Sequence, residues 1–170
     1  AALGGGPGGG AGPRGWAAGG VMRVVLGLGG KDPLIVLPGA GLDGAAAFAT
    51  RNSFRNAGQV CGSTERIYVH RDVAEDFLAR FRERASKLIQ GDGARDGVDV
   101  GPMVDAAQKR HVVAQVRDAV SHGARPILGG SEGEGNFVPP PILVDVDHSM
   151  ALMREETFGP VVGVMVVRDA

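Results

Sequence analysis

Cysteine occurs once in the 170 residues, at Cys61. A lone thiol cannot close an internal disulfide, so packing must hold the fold, and a reducing, cytoplasmic setting is expected. Neither Cys61 nor the four histidines, His70, His111, His122 and His148, falls at metal-ligand spacing, so no metal is expected. Charge of either sign is not in excess: 18 Lys and Arg against 19 Asp and Glu give a net charge of -1. Without a basic surplus to displace counterions from phosphates, nucleic acid is not an expected partner. Long hydrophobic runs are lacking too. The longest, "PVVGVMVV" at 160–167, falls far short of the ~20 residues a membrane helix needs. The N-terminus has no charged segment leading into a continuous apolar one, and no membrane partner is expected.

Glycine, by contrast, is abundant, with 29 residues concentrated in "GGGPGGGAGPRGWAAGG" at 4–20. That composition predicts a disordered head, residues 1–20. Its loose Gly-x-Gly patterns lack the preceding strand and following helix that a phosphate loop requires. The rest of the chain is ordinary in composition, 44% hydrophobic and 22% charged overall, and long enough for one domain with a sizeable core.

Hydrophobic periodicity orders residues 21–170 into alternating strands and helices. "VMRVVLGL" (21–28) and "LIVL" (34–37) read as β-branched strands around the turn "GGKDP". Asp43 opens an alanine-rich helix, "GAAAFATRNSFRNAG", closed by Gly58. "ERIYVH" (65–70) alternates as a strand does. The helix that follows, "RDVAEDFLARFRERASKLI", carries Val73, Phe77, Phe81, Ala85 and Leu88 at helical spacing, with Asp72 and Glu75 as a capping box and "RFRERASK" as its solvated face. Asp105 and Gln108 repeat the capping device before a helix that ends at Gly123. "RPILGG" and "PILVDV" read as strands, "SMALMREE" as a short helix, and "VVGVMVV" as a buried strand. Strands alternating with helices predict an α/β fold, a mostly parallel sheet with flanking helices. The chain stops at "RDA", just past the last strand, and reads as a fragment of something longer.

Cys61 lies in "RNAGQVCGSTER" (55–66), a Gly-flanked loop between a helix and a strand rather than in an apolar run. A nucleophile needs such a place, where backbone can approach a substrate; an incidental loop thiol would look the same. His70 follows nine residues later at the end of the intervening strand, too remote for a Cys-His pair, and reads as solvent-facing.

Four ordered motifs, "GGKDP" with "NAGQVC", then "DVGPMVD", "GNFVPPPILVDV" and "EETFGPVV", resemble the aldehyde dehydrogenase superfamily from about Val21 to Ala170. The resemblance implies an incomplete catalytic domain of that fold, with Cys61 as the catalytic thiolate. It further implies an aldehyde as small-molecule substrate, NAD or NADP as cofactor, and a homo-oligomer for the full-length protein. Attack on the aldehyde gives a thiohemiacetal, loss of hydride a thioester, and hydrolysis a carboxylic acid. Leu28 matches a position whose backbone faces the carboxamide, Glu156 one that bonds the nicotinamide ribose, and Phe158 one that borders the nicotinamide ring. Gln108 falls where relatives sometimes contact ribose, but its capping role accounts for it. The family's oxyanion asparagine lies upstream of the matched segment, which leaves the Cys61 backbone N–H for that task.

The match fails at one chemically decisive position. The general-base glutamate of the family opens a Glu-Leu-Gly-Gly turn, and here the turn reads Gly27-Leu28-Gly29-Gly30. Glycine accepts no proton, so the chain supplies no evident base for the hydrolytic water. CoA-acylating semialdehyde dehydrogenases, in which a thiol resolves the thioester, need that base less; an inactive fragment or scaffold needs no base. Glycine also stands at 39 and 41, where acids are implied, and at 62, where an aliphatic residue is. Replacements running in one direction suggest a decaying copy or a misread sequence.

Overall fold

The computed structural model describes residues 2–4, 25–27 and 29–169. The chain divides into two units, 1–30 and 31–170. In the first, β1 (Ala2–Gly4) pairs in parallel with β2 (Val25–Gly27). The expected disordered head therefore includes three residues in a strand, and its remaining residues lie outside the described ones, as does Leu28.

The second unit is a five-stranded sheet with flanking helices. Its strands are β3 (Asp32–Val36), β4 (Thr64–His70), β5 (Arg125–Leu128), β6 (Ile142–Val144) and β7 (Val162–Val167), in the order β3-β4-β7-β6-β5. β3, β4, β7 and β6 run parallel, and β5 pairs antiparallel with β6. The expected α/β class and mostly parallel sheet are what the chain adopts. β3 takes in Asp32 and Pro33 of the predicted turn, with a register irregularity between them. An edge strand tolerates proline because its outward side needs no ladder hydrogen bond.

Four helices cover the sheet in this unit: α1 (Leu42–Phe54), α2 (Arg71–Ala85), α3 (Ala106–Ser121) and the single turn α4 (Ala151–Arg154). α1 and α2 pack on each other and on β4, joined by stacked rings of Phe54, Phe81 and Phe77 with centroids 6.0 and 5.7 Å apart. α3 packs on α4, and α4 on β7.

Helix boundaries depart from the sequence reading at both ends of α1 and of α2. α1 begins at Leu42 with Gly41, not Asp43, as its N-cap. α1 stops at Phe54, short of Gly58, because Asn56 and Ala57 adopt left-handed φ values of 51° and 54° within a 3-10 turn, Arg55–Gly58. α2 is capped by His70, whose Nδ1 accepts from the Asp72 amide at 3.3 Å, so the Asp72–Glu75 box is not the cap and the His70 side chain is largely buried, not solvent-facing. The same helix ends at Ala85 because Ile89 turns away to bond Asp99 and Val100. A tertiary pairing there outweighs helical spacing. At α3 the expectation holds in one half: Asp105 Oδ1 accepts from the Gln108 amide at 2.7 Å.

Candidate active site

Cys61 stands exposed at the tip of a turn closed by the Ser63 amide on the Val60 carbonyl, 2.9 Å. The turn is fastened to the end of α1 by side chains. Asn52 Nδ2 donates to the Gly62 carbonyl at 3.0 Å and to Thr64 Oγ1 at 2.9 Å, while Ser63 Oγ donates to the Asn52 carbonyl at 3.0 Å. The motif residues on the other side of the thiol have structural tasks as well. Asn56 takes a left-handed conformation, which Asn tolerates better than most residues, and its Nδ2 donates to the Gln59 carbonyl at 3.0 Å. Gln59 Oε1 accepts from the Val104 amide at 2.8 Å, which ties the "NAGQVC" loop to "DVGPMVD". Met103 in turn donates from its amide to the Asn136 carbonyl at 2.8 Å, at the start of the third motif.

The fourth motif meets the thiol loop backbone to backbone. Gly58 has φ +67°, and a Cβ built on it would lie 2.0 Å from the Gly159 carbonyl oxygen. Only glycine permits this approach. Cys61 is three residues beyond Gly58 and Phe158 directly precedes Gly159, so the contact makes the two loops neighbours.

Residues 156–158 form no helix or strand, and side chains bond their backbone. Glu65 Oε2 accepts from the Thr157 amide and Oε1 from the Phe158 amide, both at 2.8 Å. Gln108 Nε2 donates to the Thr157 and Phe158 carbonyls at 2.9 and 3.1 Å. The Glu156 carbonyl accepts from Gln115 Nε2 at 3.2 Å and lies 3.0 Å from His111 Nε2. Behind them Lys31 Nζ reaches Glu65 Oε2 at 2.7 Å and Thr157 Oγ1 at 2.8 Å, and Thr157 Oγ1 donates to Gln115 Oε1 at 2.6 Å. The Lys31 and Glu65 side chains are only 8% and 3% exposed. Burial holds the Lys31 ammonium below its ordinary pKa of 10.5, and the Glu65 carboxylate partly offsets that shift.

Of the residues singled out from sequence, Cys61, Glu156 and Phe158 fall on these two adjoining loops. Glu156 and Phe158 are half-buried, and Phe158 has a left-handed φ of 47°. Gln108, set aside as a cap, uses its side chain on the Phe158 segment, and its capping contact comes from its backbone amide alone. Glu65 was missed, although it alternates with Ile67 and Val69 in "ERIYVH", which places a carboxylate on the strand's buried face. Gln115 carried a similar signal, as a buried amide among Val112, Val116 and Ala119 of α3.

A nicotinamide cofactor fits these residues at one end. A half-buried carboxylate at Glu156 and an aromatic ring at Phe158 sit on a segment pinned beside the Cys61 loop. They suit a ribose hydroxyl and a planar ring respectively. Among the described residues no glycine-rich strand-to-helix turn offers a pyrophosphate site.

Comparison with known proteins shows the family. The family model described as the aldehyde dehydrogenase family matches residues 14–170. Betaine aldehyde dehydrogenase 1 of Rhizobium meliloti is 39% identical over 156 residues, covering 89% of this chain and 32% of that protein. The betaine aldehyde dehydrogenase of Cereibacter sphaeroides is 42% identical over 151 residues, covering 88% and 31%. Among solved structures, an NADP-dependent enzyme of E. coli superposes with a TM-score of 0.93 at 37% identity, covering 99% of this chain and 36% of that one. Lactaldehyde dehydrogenase from Escherichia coli gives 0.91 at 37%, with the same coverage. The chain thus spans about a third of the length of the relatives it matches. No helix among the described residues is long and apolar enough to cross a membrane. On the family match along nearly its whole length, and on relatives that share its sequence and fold, the chain belongs to the aldehyde dehydrogenase family.

Proposed function

We infer that the full-length protein carrying this chain oxidises an aldehyde with NAD or NADP through a covalent intermediate on Cys61. The observation that carries this reading is the Gly58–Gly159 contact, which sets the thiol loop against the segment bearing Glu156 and Phe158. The Cys61 thiolate adds to the aldehyde carbon, and the carbonyl π electrons move to oxygen as a thiohemiacetal forms. The developing oxyanion is within reach of the Cys61 backbone N–H in this reading. Loss of hydride from the thiohemiacetal leaves a thioester on Cys61, and a nicotinamide cofactor, when bound, would supply the hydride acceptor. Phe158 would border the nicotinamide ring and Glu156 would hold the adjoining ribose; the carboxamide is assigned to the Leu28 backbone by the family resemblance alone, since Leu28 lies outside the described residues. Water then releases the carboxylic acid and returns the thiol. The relatives' names point to different aldehydes, betaine aldehyde for the curated ones and lactaldehyde or succinate semialdehyde for solved structures, so the substrate is given as an aldehyde only.

One observation favours a second reading. Position 27, the last residue of β2, is glycine and offers no carboxylate to activate water. In a CoA-acylating enzyme the incoming thiol attacks the thioester itself and the product is an acyl-CoA. An assay of the full-length protein with aldehyde and NAD or NADP, with and without CoA, tests both. Reduced cofactor formed by the wild type and lost in Cys61→Ser supports the Cys61 reading. Product appearing only with CoA selects the second route, and no turnover under either condition favours a scaffold.

A further inference from the structure

Glu65 stands on the buried face of β4, and its carboxylate is used on both oxygens. Lys31 supplies the countercharge at Oε2, and the amides of Thr157 and Phe158 take Oε2 and Oε1, each at 2.8 Å. Charge neutralisation alone would need one oxygen; the second is spent on the Phe158 amide. That amide belongs to a residue at φ 47°, a conformation L side chains seldom adopt without an external restraint. From α3, Gln108 Nε2 donates to the Thr157 and Phe158 carbonyls. The Phe158 peptide groups are thus clamped between a strand and a helix distant in sequence. If the clamp opens, φ relaxes and the ring direction changes with it, because Cβ is rigidly attached to the rotated backbone.

We propose that Glu65, seconded by Gln108, is a positioning residue for the cofactor site: it holds Phe158 in its left-handed conformation and so fixes the ring against the nicotinamide. This rests on the reading that Phe158 and Glu156 face that cofactor. Glu65 touches no reacting atom. Its effect passes through the two amides, so it falls on cofactor affinity and on local backbone opening rather than on the thiol.

The test uses the full-length protein with Glu65→Gln and, as a variant that leaves the buried charge in place, Gln108→Ala. A Gln amide offers one acceptor oxygen and turns an NH2 toward the other N–H, which breaks half of the clamp while keeping volume. Amide hydrogen exchange at Thr157 and Phe158 is expected to speed up at least ~10-fold in Glu65→Gln, with Ile67 and Val69 of β4 changed less than about twofold. The NAD or NADP dissociation constant is expected to rise about tenfold, and Gln108→Ala to move both readouts in the same direction by roughly threefold. Exchange at 157 and 158 equal to wild type in both variants, or raised equally across β4 and β7, overturns the assignment in favour of general support. Faster local exchange with an unchanged dissociation constant overturns it as well. A wild type that binds neither NAD nor NADP overturns the proposed function itself, and the assignment falls with it. Should Glu65→Gln fail to fold, the Gln108→Ala pair of readouts decides by the same criteria.

Discussion

Gly58 and Gly159 touch through their backbones, closely enough that a methyl group on Gly58 would sit 2.0 Å from the Gly159 carbonyl oxygen. Two segments a hundred residues apart in sequence are joined there with no side chain between them. The thiol loop hangs from one glycine and the Phe158 segment from the other, so the site's geometry depends on that contact.

Gly58→Ala is therefore expected to destabilise strongly. A residue with Cβ at φ +67° costs about 1–2 kcal/mol for the left-handed conformation alone, and the collision with the 159 carbonyl adds backbone displacement. A total of at least about 3 kcal/mol in urea unfolding is expected. Gly93→Ala, where a Cβ meets nothing and φ is not positive, is the matched control and should stay within about 0.5 kcal/mol of wild type. Equal midpoints for the two variants would remove the contact from the account.

The glycines at 39 and 41, read from sequence as parallel losses of acidic residues, separate in the structure. Gly39 has φ +88° in the turn closed by Ala40 on Leu37, so glycine suits the backbone there. Gly41 is the N-cap of α1 at φ -70°, with no side-chain cap bond and open space around it. Gly41→Asp is expected to stabilise by a few tenths of a kcal/mol and Gly39→Asp to destabilise by about 1 kcal/mol. Thermal midpoints shifting in the same direction for both would contradict this distinction.

Lys31 sets a pH dependence with a definite sign. Its folded-state pKa lies below 10.5, chiefly through burial, with Glu65 opposing the shift. Between the lowered value and 10.5 the unfolded chain holds a proton that the folded chain has released, so stability contributed by this group rises with pH across that window. The cost of burying the charge is fully present below the folded pKa and gone above 10.5. Wild type should thus gain stability relative to Lys31→Met as pH climbs toward 10.5. A stability difference between the two that is flat or reversed over that range, measured by urea unfolding at each pH, would mean that Lys31 is not strained by its burial.

Much of this was legible from the residues, for reasons that are local. Parallel strands announced themselves through β-branched runs, and Asp105 capped α3 as its spacing implied. Cys61 stood out because glycines surrounded it. What escaped was tertiary. Glu65 sat in plain view on the apolar parity of β4, yet its meaning depends on amides 92 and 93 positions away. The Gln108 side chain was assigned to its own helix end because spacing shows only neighbours, and its partners lie 49 and 50 residues on. The left-handed break at Asn56 and Ala57, which ended α1 early, has no signature beyond an Asn that tolerates it.

The central claim, that Cys61 carries the substrate through oxidation, is tested most directly by mass spectrometry of the full-length protein after mixing with aldehyde and NAD or NADP. Peptide mapping is expected to locate an acyl group on Cys61. Because glycine at position 27 offers no general base, worth typically ~10²- to 10⁴-fold in such a step, that adduct should persist in the natural sequence and clear in Gly27→Glu. A Cys61 peptide of unmodified mass while reduced cofactor accumulates, with turnover undiminished in Cys61→Ser, would contradict the account.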